Sequence, residues 1–254
     1  MSDMGVQPAA SEAPGMSQLQ RVTSIFSAPS KTFTEIKNGK TSWWLPWLIM
    51  AIVGYMFFAA VATKVTMQTV VDNQTKLMSE KQQEQMDKMP PEQRAMSAKI
   101  TLYVTEGAFL AGPVFALLGA AVFGLVLWGT INFVFGGKAK FGGVFSMSFF
   151  ASLPAIIKSL LGIVVIYASN TPETFNIRNF APTNVGAFLS ATETNKALYA
   201  LATSLDAVTI WTLVLMGIGL ATVAGVKRSS GYIAVFGWWA IIVLISVGWA
   251  AVMG

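Results

Sequence analysis

"GAFLAGPVFALLGAAVFGLVLWGTINFVFGG", residues 107–137, contains no charged side chain. A hydrocarbon core about 30 Å thick is crossed by about 20 helical residues, so this run spans a bilayer with length to spare. The excess predicts a tilted helix, a kink at Gly112-Pro113 or a re-entrant turn. Four further runs meet the same length test, which places spans near 43–63, 102–135, 143–168, 197–225 and 231–252. The fold expected is therefore all-α and polytopic, a bundle of five transmembrane helices filling residues 41–254.

Composition agrees. Of 254 residues, 54% are hydrophobic and 11% charged, against about 25% charged in an ordinary soluble domain. Cysteine and histidine are both absent, which removes disulfides, thiolate nucleophiles, imidazole metal sites and every Ser-His or Cys-His pair. An enzyme, a metal site and a cofactor are accordingly not expected. The net charge of +5 comes from Lys and Arg scattered through short loops, with no continuous patch for nucleic acid. The first forty residues are polar, so no cleavable signal is expected and the first apolar run is read as a retained span.

Residues 1–17 are small, polar and rich in Ala, Pro and Ser, the composition of a disordered tail. Residues 18–40 read as an amphipathic interfacial segment on the cytoplasmic side. Leu19, Val22, Ile25 and Phe26 fall at helical spacing, Pro29 interrupts, and Phe33 and Ile36 resume the pattern. Arg21, Lys31, Lys37 and Lys40 are expected to face anionic headgroups.

The short basic loops fix an expected orientation. Arg21, Lys31, Lys37 and Lys40 precede span one, Lys138 and Lys140 join spans two and three, and Lys227 and Arg228 join spans four and five. With five spans all three lie on one side, which the positive-inside rule makes cytoplasmic, leaving the C-terminus outside. Trp43, Trp44, Trp47, Trp238 and Trp239 are candidate interfacial anchors, whereas Trp128 and Trp211 lie deeper.

Residues 64–100 are expected to form an extracytoplasmic helical hairpin, with span one continuing as a helix. Met67, Val70, Val71, Gln74, Leu77 and Met78 make an apolar-leaning stripe, and Asp72/Lys76 and Glu84/Lys88 are acid-then-base pairs four apart. Pro90-Pro91 ends the helix and starts the return. Asn73 opens an "NQT" acceptor pattern, relevant only in a eukaryotic secretory pathway. In the second outer loop, 169–196, "VGAFLS" is a candidate interfacial contact.

Two constellations stand out within the spans. Ala108, Gly112, Ala116, Ala120 and Gly124 recur every four residues in span two, and Gly217, Ala221 and Gly225 do so in span four. Small residues at that spacing let helices approach closely in lipid, and they form either an intramolecular seam or a dimer face. The second constellation is ionic. Lys158 lies about ten residues, roughly 15 Å, below the outer end of span three, and Asp206 lies nine residues, roughly 13 Å, into span four. Opposite charges at matching depth on consecutive antiparallel spans are expected to pair, because either alone in hydrocarbon costs several kcal/mol. Glu106, one turn into span two, either joins them or reaches the outer headgroups. The pair fixes helix register, or it forms a polar site for an ion, a proton or a lipid headgroup. "FVFGGKAK" lacks the earlier Gly and the following Ser or Thr of a phosphate loop and reads as a basic turn.

The order of events resembles the Yip1 domain family. The similarity is carried by the lead "RVTSIFSAPSKTFTEIKNGKTSWWLPWLIM", residues 21–50, by "SFFASLPAIIKSLLGIVV", residues 148–165, and by the five-span layout over about residues 18–252. The resemblance implies a non-enzymatic multi-pass membrane protein. Eukaryotic relatives sit in endoplasmic reticulum and Golgi membranes and bind Rab-type small GTPases and coat machinery. The Asp-Leu-Tyr-Gly-Pro motif of that branch is absent here, with Gly112-Pro113 its only echo, so small-GTPase binding is not carried over. The expectation is a prokaryotic cytoplasmic membrane, or endoplasmic reticulum and Golgi if the source is eukaryotic. The expected role is a membrane-organising or accessory protein contacting the lipid bilayer and other integral membrane proteins. The alternative is a permeation or lipid-moving protein using Lys158, Asp206 and Glu106.

Overall fold

A computed structural model describes residues 15–168 and 172–253. Most of the expected N-terminal tail, residues 1–14, lies outside these. Twelve α-helices follow in order among the described residues: α1 (Gln18–Ser27), α2 (Pro29–Lys37), α3 (Trp44–Ala60), α4 (Met67–Lys76), α5 (Glu80–Asp87), α6 (Pro91–Leu110), α7 (Gly112–Gly129), α8 (Phe141–Ala151), α9 (Ala155–Ala168), α10 (Lys196–Ser204), α11 (Ala207–Ala224) and α12 (Arg228–Met253). One π turn, Val61–Val65, lengthens α3, and another, Thr130–Val134, lengthens α7. Five helical stretches are long and apolar enough to cross a bilayer: Trp44–Val65, Gly112–Val134, Phe141–Ala168, Ala207–Ala224 and Arg228–Val252. The protein is an all-α polytopic membrane protein.

The spans are less continuous than their hydropathy suggests. Span two bends at Ala111 (φ −83°, ψ 0°), just before Pro113 enters the first turn of α7. A proline removes one backbone donor and clashes with the preceding turn, so the kink at Gly112-Pro113 is the solution adopted. Span three is interrupted at Ser152–Pro154, between α8 and α9, for the same reason. Span four, expected as one helix over 197–225, is two helices meeting at Leu205-Asp206. That last break decides the geometry of the site.

The N-terminal segment is corrected most. Its apolar stripe faces protein. Ile25 and Phe33 are fully buried and Ile36 nearly so, in one core cluster with Met147 and Phe150 of α8 and Leu220 and Val223 of α11. Gly219 makes room, because a Cβ there would stand 2.8 Å from the Phe33 ring and 2.5 Å from Met147. Arg21 turns inward and is 3% exposed. It donates to the Lys40 carbonyl (2.5 Å) and lies over the Phe150 ring at 5.1 Å. Burial pulls its guanidinium below the usual value. Opposite it, Lys40 bonds Glu35 at 2.6 Å, and that bond holds the Glu35 carboxyl below its ordinary range. Leu19 and Phe26, 64% and 40% exposed, are the stripe residues left outside.

The 64–100 hairpin also differs in detail. Span one does not run on as one helix. Thr66, at φ +73°, ψ 146°, breaks it and caps α4 by accepting from the Thr69 amide. Met67, Val70 and Val71 are buried as their stripe requires, and α5 intervenes before Pro90-Pro91 starts α6. Glu84 and Lys88 pair at 3.6 Å on the surface. Asp72 instead accepts from Gln68, and Lys76 donates to Asn73. Asn73 is 5% exposed, and its side-chain amide donates to the carbonyls of Pro172 and Phe175. It ties the 64–100 hairpin to the loop that follows α9.

Candidate functional site: an ion pair at a broken span

Asp206 ends α10 and begins α11. Its backbone is extended (φ −111°, ψ 123°), and its Oδ1 accepts the Thr209 amide at 2.7 Å, an N-cap bond. "DAVT" before an apolar run is the local signal for a helix start, and it overrides the run of hydropathy through 197–225. The break leaves backbone groups that residues 183–185, in the loop between α9 and α10, satisfy. The Ala207 amide donates to the Thr183 carbonyl (2.9 Å), Val185 donates to Leu205 (3.4 Å), and Asn184 and Asp206 form an isolated antiparallel bridge. Buried backbone donors are almost always paired, so this loop is part of the span.

The carboxylate is enclosed. Its Oδ2 accepts the Thr183 hydroxyl at 2.5 Å and lies 3.2 Å from Lys158 Nζ. The Asp206 side chain is 3% exposed and that of Lys158 30%. Lys158 stands one turn into α9, ten residues before its end. Helix α10, nine residues long, precedes Asp206 and packs on α12. The structure thus brings Lys158, inside the Phe141–Ala168 span, against Asp206 at the start of the Ala207–Ala224 span. It does not bring Glu106 to them: α6 packs on α3, α4 and α7, and Glu106 has no ion pair among the described residues.

Above the pair lies a cavity of about 570 Å³, lined by Lys64, Tyr167, Asn176, Asn179 and Tyr199 among others. Asn176 and Asn179 both donate to the Tyr199 hydroxyl (3.4 and 3.1 Å), and Asn184 donates to Asn179 at 2.7 Å. Lys64 sits over the Tyr167 ring at 5.2 Å. The sequence reading missed Thr183, Asn184 and this amide chain, since a Thr- and Asn-rich loop carries no periodicity to place it.

The small-residue stripes divide. Gly217 and Ala221 form a tight intramolecular seam, where a Cβ on Gly217 would stand 2.4 Å from Tyr232 and one on Gly231 would stand 2.2 Å from the Gly217 carbonyl. Gly225 belongs to no seam. At φ +71° it ends α11 as a left-handed cap. Ala108, Gly112 and Ala116 line an apolar cleft of about 210 Å³ facing Ala51 and Gly54 of α3, and nothing lies within 4 Å of a Cβ on Gly112. Ala120 is half-buried, and Gly124 rests against Phe141.

The tryptophans divide too. Trp43 stacks on Phe149 at 5.5 Å, Trp47 donates to the Pro113 carbonyl (3.0 Å) and Trp238 to Thr130 (2.9 Å). Trp239 packs edge-on to Phe236, and Trp44, half exposed, faces outward. Of the deeper pair, Trp128 donates to the Ala139 carbonyl and Trp211 meets Phe26 edge-on.

Five apolar spans, interrupted by prolines and a capped break, with no histidine or cysteine anywhere, define a multi-pass membrane protein of all-α class. The Yip1 domain model matches residues 23–250, and the chain belongs to that family. No curated protein and no solved structure matches it.

Proposed function

We propose that the protein is a non-enzymatic membrane-organising or accessory subunit that acts through contacts with other membrane proteins or with lipids. The observation that carries this reading is the saturation of Asp206. Both carboxylate oxygens are engaged by three donors on three different elements, which is the arrangement of a clamp holding α9, the second outer loop and α11 in register. The chain contains no imidazole or thiol to activate a nucleophile or a water. Its N-terminus faces the cytoplasm and its C-terminus the outside of a prokaryotic cytoplasmic membrane. Eight cations against the single carboxylate of Glu35 at the end formed by residues 15–43, 136–141 and 225–230 support that orientation. Small-GTPase binding is no part of the proposal. Purification in mild detergent tests it: a stable co-purifying membrane protein or a retained lipid class is expected, with liposomes carrying the pure protein tight to ions and lipids.

One observation favours a second reading, permeation or lipid movement. Interrupted helices line the binding sites of many transporters, and here the break sits beneath the polar cavity and joins it through Asn179 and Asn184. Ion flux or lipid scrambling that disappears in folded Asp206→Asn protein would favour this alternative over the accessory role.

A further inference from the structure

At the opposite end of the bundle from the polar cavity, α2, the 136–140 turn and the last turn of α11 enclose a second cavity of about 520 Å³. Lys37, Lys138 and Lys140 line it, Ile36, Val223 and Ala224 form an apolar wall, and no carboxylate contributes. None of the three ammonium groups has a hydrogen bond or ion pair among the described residues. Three of the nearby cations are engaged, while Lys31 and Lys227, equally without a partner among the described residues, lie outside the cavity. Lys40 is taken by Glu35, Arg228 reaches Ser30 Oγ at 3.3 Å, and Arg21 is spent on the Lys40 carbonyl.

Cations at a helix C-terminus are often there for its free carbonyls, but those of α11 are largely used. Ala221 accepts from Val226, Thr222 from Gly225 and Ala224 from Lys138 through its backbone amide. The lysine heads are therefore not consumed by the helix end. Two of the lining residues, Gly136 at φ +66° and Gly225 at φ +71°, turn the backbone in the left-handed region. Helix α8 also starts here on Lys140, with no side chain capping its first turn, so the positive end of its dipole borders the same space.

The three side chains are exposed to solvent, and like charges gathered around one concavity favour an anion among them. We propose that this cavity binds a phosphate-bearing anion, either the headgroup of an acidic lipid, whose chains would follow the apolar wall, or a free phosphate compound. Phosphate suits the site because its several oxygens can accept from all three lysines at once.

The test uses the full chain. In the lipid arm, protein in nanodiscs of phosphatidylcholine with or without phosphatidic acid is extracted gently, and the retained lipid is identified by native mass spectrometry. In the soluble arm, inorganic pyrophosphate is titrated in detergent while thermal unfolding is followed. Retention of phosphatidic acid over phosphatidylcholine supports the site and names a headgroup, whereas stabilisation by pyrophosphate supports it and names a free phosphate. Each lysine lost should weaken binding about tenfold, from the usual value of a charged hydrogen bond. Lys37→Gln/Lys138→Gln/Lys140→Gln should therefore abolish the signal and the three Lys→Arg changes should keep it. A control, Lys31→Gln/Lys227→Gln, removes charge from the same end outside the cavity. The proposal is overturned if neither arm responds in the wild-type protein, if the cavity variant binds undiminished, or if the control loses as much as the cavity variant, which would mean diffuse surface charge.

Discussion

Asp206→Ala should be the most damaging single change in the chain, and its cost can be built from contacts. The substitution removes an N-cap bond, worth about 0.5–2 kcal/mol, and strands Lys158 without its counter-charge, which costs about 3–5 kcal/mol for a buried pair. Lys158 is 30% exposed, which argues for the lower end, so a total of about 4 kcal/mol is expected. Asp206→Asn keeps an oxygen for Thr209 and should cost about 3 kcal/mol, chiefly from the unpaired lysine. Lys158→Met leaves Asp206 its two other donors and should cost about 2–3 kcal/mol. The double variant Asp206→Asn/Lys158→Met carries no buried charge and should fall within about 1 kcal/mol of wild type. The assay is unfolding in mixed micelles with rising SDS, read by the fluorescence of the eight tryptophans and closed as a double-mutant cycle. Single variants that each cost under about 0.5 kcal/mol, or a coupling energy near zero, would refute the claim that the pair holds the bundle.

The glycines give a contrast within one fold. Gly231→Ala puts a methyl 2.2 Å from the Gly217 carbonyl and should destabilise by about 1–3 kcal/mol, while Gly119→Ala, with open space around it, should be neutral or stabilise by up to about 1 kcal/mol; the same SDS titration compares them. Thr66→Gly should stabilise by about 1 kcal/mol, since it relieves a positive-φ conformation at a β-branched residue and glycine loses only a few tenths of an N-cap; a lower unfolding midpoint would count against that strain. Glu35 sets a pH dependence. Its folded pKa lies below the ordinary carboxylate value, so its contribution is present above that value and is lost as pH falls through the lowered one. Protection of amides in α1 and α2, taken relative to the intrinsic exchange rate at each pH, should therefore fall as pH drops below the ordinary carboxylate value, and Glu35→Gln should show the lowered protection already at neutral pH.

What the sequence made legible was whatever length and spacing encode. The five spans and the amphipathic stripe of Ile25, Phe33 and Ile36 follow from hydropathy and period, whereas the kink at Gly112-Pro113 is one of three outcomes that the excess length of span two leaves open. Which environment a stripe meets is not encoded locally. The same pattern suits a membrane surface and a groove between α8 and α11, and Gly219, far away in the chain, opens the groove. Arg21 was misplaced for the same reason, because only the assembled fold sets the Lys40 carbonyl and the Phe150 ring beside it. Glu106 illustrates the limit of depth arguments. Matching height along the bundle says nothing about which face of a helix looks inward, and α6 turns toward α3 and α4.

The broken span also settles which member of the ion pair comes first physically. Opening a helix at Leu205-Asp206 frees amide donors at 207–209 inside an apolar bundle, where each unpaired one is costly. The Asp206 carboxylate takes Thr209 and the Thr183 carbonyl takes Ala207, so the acid is needed for the backbone before any partner is considered. A carboxylate left there alone would be a buried negative charge, and Lys158 neutralises it at 3.2 Å. Sliding α9 by one turn, about 5.4 Å, would break the pair and leave both charges exposed to hydrocarbon, so one interaction sets the register of α9 against α11. It follows that Asp206→Asn should preserve the break and its protected amides even while it weakens the bundle, whereas Asp206→Ala should release them. Hydrogen exchange at residues 207–209 distinguishes the two. Equal protection in both variants would mean that the loop alone closes the gap and that the acid is there for the lysine.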